Sequence, residues 1–162
     1  MDVSSVRSSF LDVMIHDRVE LETSALHRTD GGIRFHTSMP NRERILVVED
    51  NRDALAALFF VLTQAGYSVL TAEDGAQAVD LLSHGIHPRL IVLDLLLPKV
   101  DGWAVLKHLQ QDTALREIPV IVTTAVKDAR SRTPGADVIL TKPVEHAELI
   151  VEIRRLLEGA FT

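Results

Sequence analysis

Five times between residues 44 and 158 the chain repeats one unit: a short aliphatic run ending on or beside a polar residue, then a stretch with apolar residues every three or four positions. Aliphatic runs of that length between turn formers suit strands buried on both faces, and the longer stretches suit helices with one apolar side. Strands alternating with helices build a parallel sheet, because right-handed crossovers return each strand in the same direction. The expected fold class is therefore α/β, a doubly wound parallel sheet of five strands with helices on both faces.

The sharpest unit is RLIVLDLLLPKVDG at residues 89–102, where the aliphatic run stops at Asp94 and Pro98 and the Asp101-Gly102 pair then turn the chain. A strand buried on both faces would lift Asp94 to the rim of the sheet as the reactive carboxylate. Strands are expected at 45–48, 67–71, 90–93, 120–123 and 138–140. The first helix is capped by Asn51 or Asp53, carries Leu55, Leu58, Phe59 and Leu62 on one face and closes at Gly66. Further helices are expected around 77–83, at 102–110 with Trp103 packing on the sheet, and at 145–157, with a weak fourth segment at 125–132 ended by Pro134-Gly135.

Aromatic residues make up only 4% of a chain that is 46% hydrophobic, so the core must be aliphatic. A formal charge of −6 argues against general attraction to nucleic acid or to an anionic membrane, and direct DNA binding is not expected. The absence of Cys excludes disulfides and thiolate metal sites. No apolar run reaches membrane-spanning length and the first residues do not resemble a signal peptide, so membrane insertion is not expected and a cytoplasmic location is. The seven His residues form no spaced ligand motif, which makes a zinc site a poor expectation.

Two parts are expected: an N-terminal extension over 1–42 and a compact domain over 43–159. In the extension, residues 5–15 suit a short amphipathic helix and 19–37 a hairpin turning at Asp30-Gly31-Gly32. Two other readings stand beside this: a mobile tail, or an over-long start whose natural beginning is Met39. No output domain is expected after the last helix.

Taken singly, a polar residue at a strand end is usually a turn or cap residue. Taken together, the ends of the first, third, fourth and fifth strands bring Glu49 and Asp50, Asp94, Thr124 and Lys142 to one rim. Three carboxylates so gathered call for a counter-charge, which a hard divalent cation such as Mg2+ supplies through oxygen ligands. A cation held by Asp50 and Asp94 suits attack of Asp94 on phosphorus, with Lys142 and Thr124 serving the other phosphoryl oxygens.

These motifs, ILVVED, LDLLLPKVDGW, VIVTTA and GADVILTKP in order over about 44–158, resemble the receiver domain of two-component response regulators. The resemblance implies a flavodoxin-like sheet with strand order 2-1-3-4-5. It further implies Asp94 as phosphoacceptor, Asp50 as a direct Mg2+ ligand, Glu49 acting through water and the Leu96 backbone carbonyl completing the metal site. Thr124 becomes the switch hydroxyl, Lys142 the phosphoryl-binding cation and Lys142-Pro143 a cis peptide at Pro143. The implied partners are a sensor histidine kinase or histidine phosphotransfer protein and an unidentified downstream protein, and a homodimer is allowed. Such a domain is a switch and not a turnover enzyme, catalysing only its own phosphotransfer and a slow autodephosphorylation.

The chain departs from the family at Ile139, where a Tyr or Phe usually stands, and in a fourth helix about one turn shorter than usual. Leu96 and Val126 follow the phosphoacceptor and the switch hydroxyl by two residues; they either hinder an attacking water, giving a long-lived acyl phosphate, or just cover the edge of the site. Lys127, Arg130 and Arg132 form a small basic spot. Three other functions compete. A haloacid-dehalogenase-type phosphohydrolase wants an acid where Leu96 stands, and a flavodoxin-like flavin carrier would be repelled by Glu49-Asp50. A phosphorylation-independent docking module is motivated by Ile139 and the short helix.

Overall fold

The computed structural model describes residues 44–127, 129 and 133–159. Its elements in chain order are β1 (Arg44–Val48), α1 (Arg52–Gln64), β2 (Ser68–Ala72), α2 (Gly75–Ser83), β3 (Leu90–Asp94), α3 (Gly102–Gln111), β4 (Val120–Thr124), β5 (Val138–Thr141) and α4 (His146–Gly159). The strands form one five-stranded sheet in the order β2-β1-β3-β4-β5, and every neighbouring pair is parallel. This is the doubly wound order expected from the sequence. Winding reverses between β1 and β3, so the loops leaving those two strands part in opposite directions and leave a crevice between them.

Period-two alternation divides each strand between two cores. Leu46, Val48, Ile91, Leu93 and Val122 face α2 and α3, where Ala78, Leu82, Val105, Leu106 and Leu109 meet them. Ile45, Val47, Leu90, Val92 and Ile121 face α1 and α4, against Leu55, Leu58, Leu62, Leu149, Ile153 and Leu157. Fully burying an aliphatic side chain of this kind contributes about 1.5–3 kcal/mol. The three central strands are thereby clamped from both sides, which fixes where their carboxyl ends emerge.

Asn51 is the cap of α1, its side chain accepting the amides of Asp53 and Ala54 at 3.1 and 3.0 Å. Gly66, at φ 94°, ends the helix in a backbone state that favours glycine. Phe59 departs from expectation and is 42% exposed, because Leu55, Leu58 and Leu62 already fill the side of α1 that meets the sheet. Trp103 is partly buried against the α2 and α3 core, as expected. His84, His87 and His146 are exposed, whereas His108 is half-buried with a buried Nε2.

Four α-helices are present among the described residues, none of them between β4 and β5, which fits the shortened fourth helix. Part of that segment, including Arg130 and Arg132 of the basic spot, lies outside the described residues, as do the N-terminal helix, the hairpin and Met39.

Candidate functional site

Each polar residue of interest follows directly from a buried strand. β1 runs into Glu49 and Asp50, β3 ends on Asp94, β4 ends on Thr124, and Lys142 follows β5. The register aligns Asp94 with Thr123 and Thr124 with Thr141, and the Lys142 amide donates to the Thr124 carbonyl at 2.9 Å, so the last two residues are tied through the backbone.

The side chains converge. Lys142 Nζ donates to Asp94 Oδ2 at 2.6 Å and to Glu49 Oε2 at 2.7 Å. Glu49 and Asp94 are 2% and 5% exposed, which makes these charge-assisted bonds between largely desolvated groups. The remaining oxygens are also engaged: Glu49 Oε1 accepts the Asn51 amide at 3.1 Å and Asp94 Oδ1 accepts the Leu96 amide at 3.0 Å. Burial works against the Lys142 charge, yet hydrogen bonds and Coulombic attraction from Asp94 and Glu49 outweigh it and hold the ammonium above its ordinary 10.5.

Asp50 is exposed beside this buried pair, and one oxygen from each of Glu49, Asp50 and Asp94 lies within 4.8 Å of the others. Three carboxylates with one ammonium leave an excess of negative charge in a confined space. The donor set is all hard oxygen, which fits Mg2+ or another small divalent ion and does not fit a soft metal.

Thr124 is fully buried and its Oγ1 accepts the Val126 amide at 3.1 Å. Leu96 is 53% exposed at the mouth of the site, while Val126 is partly buried against the α2 and α3 core. Ile139 lies on β5, partly buried against that same core, and helps line a shallow groove with Ala136, Asp137, Glu152 and Arg155. The Lys142-Pro143 bond is cis. Glycine is required at Gly102, since a Cβ there would overlap the Asp94 carbonyl and the Leu95 Cα. The start of α3 thus rests directly on the backbone of Asp94.

Two residues that sequence reasoning passed over stand beside the site. Asp74 caps α2 by accepting the Gln77 amide on Oδ1 at 2.8 Å, and its Oδ2 pairs with Lys99 in the loop after β3. A D-x-x-Q signature before α2 was available as a sign of the cap. Nothing in the sequence marked Lys99, whose backbone has φ 64° although it carries a side chain.

A doubly wound five-stranded sheet with an acidic cluster, a threonine and a lysine at one rim defines the receiver class of signalling domains. Residues 45–154 match the response regulator receiver domain, and the chain belongs to that family. Among relatives, it is 38% identical over 121 residues to the probable transcriptional regulator ycf27 of Cyanophora paradoxa, covering 72% of this chain and 49% of that protein. It is 37% identical over 118 residues to the DNA-binding dual master transcriptional regulator RpaA of a Synechocystis strain, covering 70% and 48%. The chain therefore spans about half the length of these curated relatives. Among solved structures, the receiver domain of a Syntrophus aciditrophicus histidine kinase superposes with a TM-score of 0.69 at 36% identity, covering 74% of this chain and 92% of that one. The response regulator TrrA of Thermotoga maritima, solved with Mg2+ and a beryllium fluoride, gives 0.65 at 29% identity, covering 71% and 99%.

These relatives correct one expectation. Direct DNA binding was not expected from the chain's charge, yet RpaA is described as DNA-binding and ycf27 as a transcriptional regulator. Net charge reports diffuse attraction and is silent about a local reading surface, so −6 was insufficient ground for setting DNA aside. Among the described residues, no helix is long and apolar enough to cross a membrane.

Proposed function

We propose that this receiver accepts a phosphoryl group on Asp94 from a phosphohistidine donor, a sensor histidine kinase or histidine phosphotransfer protein, with Mg2+ bound at the acidic cluster. The observation that carries this reading is the convergence of Asp94, Glu49 and Lys142 within 2.6 to 2.7 Å, beside the three-carboxylate cluster. Asp50 and Asp94 would hold the ion directly, Glu49 through water, and the Leu96 carbonyl would complete the set. When bound, the ion neutralises charge on the cluster and on the incoming phosphoryl oxygens.

An Asp94 carboxylate oxygen forms the new O–P bond while the donor's N–P bond breaks and its electron pair returns to the imidazole nitrogen. Lys142 releases Asp94 Oδ2 and takes a phosphoryl oxygen. The Thr124 hydroxyl turns from the Val126 amide to donate to another. Transfer happens once per signal, so the chain acts as a switch and its only further chemistry is slow self-dephosphorylation. The exposed apolar Leu96, where a hydrolase of the haloacid-dehalogenase kind needs an acid, supports this over turnover. A receiver unit over 43–159, an extension over 1–42 and a cytoplasmic site of action belong to the same reading.

The test is incubation with Mg2+ and acetyl phosphate, followed by intact mass, for the wild type and Asp94→Asn. The wild type should gain one phosphoryl group and the variant none. No Asp94-dependent gain would leave a docking module that works without phosphorylation.

A further inference from the structure

The loop between β3 and α3, residues 95–101, leads from Asp94 and supplies the Leu96 amide that Asp94 Oδ1 accepts. It is held at its far end by the Gly102 amide, which donates to the Leu95 carbonyl at 3.0 Å, and is tightened at its middle by the Val100 amide on the Pro98 carbonyl at 2.8 Å. At that middle stands Lys99, at φ 64°, a conformation that a residue with a Cβ seldom adopts. Gly or Asn would hold this backbone more easily, so what the lysine adds is its ammonium.

That ammonium reaches Asp74 Oδ2, 25 residues away in sequence, at the N-terminus of α2. Asp74 is itself fixed: it is 9% exposed, and its other oxygen caps α2. Burial raises its carboxyl, and the hydrogen bonds from Lys99 and Gln77 with the Lys99 charge more than reverse this, so its pKa lies below the ordinary 3.8. Beside it, Gly75 is packed so closely under the Val100 carbonyl that a Cβ would overlap it. The turn before α2 is thus the fixed support against which the loop rests.

We propose that Asp74 and Lys99 form a brace that presets residues 95–101 for the cation, and are positioning residues for the metal site although neither is a ligand. The inference rests on the Mg2+ reading above. Its physical content is preorganisation: a loop already in its metal-accepting shape has less freedom to lose when the ion arrives.

The test uses the full chain. Backbone amide shifts titrated with Mg2+ give the affinity, and amide exchange at Val100 and Gly102 without metal reports loop opening. Lys99→Gly, which relieves the backbone but removes the ammonium, and Asp74→Asn should weaken Mg2+ binding about tenfold and speed that exchange by a similar factor. Lys99→Arg should restore both. Gln77→Ala, which removes the Oε1 that accepts the Glu73 amide at 2.7 Å and keeps the Gln77 backbone bond to Asp74, should lower Tm and leave Mg2+ affinity unchanged. Equal affinity in Lys99→Gly and wild type, or equal weakening in Gln77→Ala and Lys99→Gly, would overturn the brace alone. A wild type whose shifts do not move with Mg2+ would overturn the Mg2+ reading as well.

Discussion

Lys142 Nζ stands 2.6 Å from Asp94 Oδ2, a pairing of residues 48 apart in sequence that leaves the carboxylate 5% exposed and neutralised. Replacing Lys142 by Met removes the one ammonium from two buried carboxylates and leaves Glu49 and Asp94 facing each other without compensation. Because the lysine side chain is 30% exposed, water softens the cost, and about 2 kcal/mol is expected in urea unfolding of Lys142→Met. Millimolar Mg2+ should return part of the loss in that variant, since a cation at the cluster replaces the missing charge. An unchanged urea midpoint in Lys142→Met would mean the carboxylates are better hydrated than their burial indicates.

Stability should fall at both extremes of pH, for opposite reasons. Asp74 has a folded pKa below its ordinary 3.8, so its contribution is complete above about pH 3.8 and disappears as pH falls through the folded value. Lys142 has a folded pKa above its ordinary 10.5, so its contribution is complete below about pH 10.5 and disappears as pH rises through the folded value. Urea midpoints measured against pH should show Lys99→Met flattening the acid limb and Lys142→Met flattening the alkaline limb. Identical profiles in wild type and variants would remove both assignments.

Leu96 is 53% exposed at the site mouth, and Val126 lies two residues past Thr124. Neither side chain can orient a water for attack on an acyl phosphate, so phosphorylated protein is expected to persist well beyond seconds after acetyl phosphate is removed. Leu96→Asn, which offers a hydrogen-bonding group at the same place, should shorten that lifetime about tenfold, equivalent to about 1.4 kcal/mol of barrier. Decay within seconds in the wild type would show that both side chains only cover the edge of the site.

The sheet was legible because strands buried on both faces must be continuous aliphatic runs, and 90–93, 120–123 and 138–140 have no other plausible use. Glu49, Asp94, Thr124 and Lys142 were legible because parallel strands bring their carboxyl ends to one rim. Phe59 was misplaced because helical spacing gives an apolar arc without its edge, and the sheet takes only the middle of that arc. The Asp74–Lys99 pair was invisible because no local rule joins residues 25 apart, and a left-handed backbone at Lys99 carries no compositional sign. The DNA-binding description of a relative was not anticipated because charge was read only as a sum over the chain.

The bond between Lys142 and Glu49 spans 93 positions, nearly the full length from the first strand to the last. A ribosome must therefore release almost everything through the fifth strand before the reactive pocket can close. A product cut before β5 would carry Asp94 without Lys142. A chain that stops before Lys142 is therefore expected to lack the charge balance on which the proposed phosphoryl transfer rests.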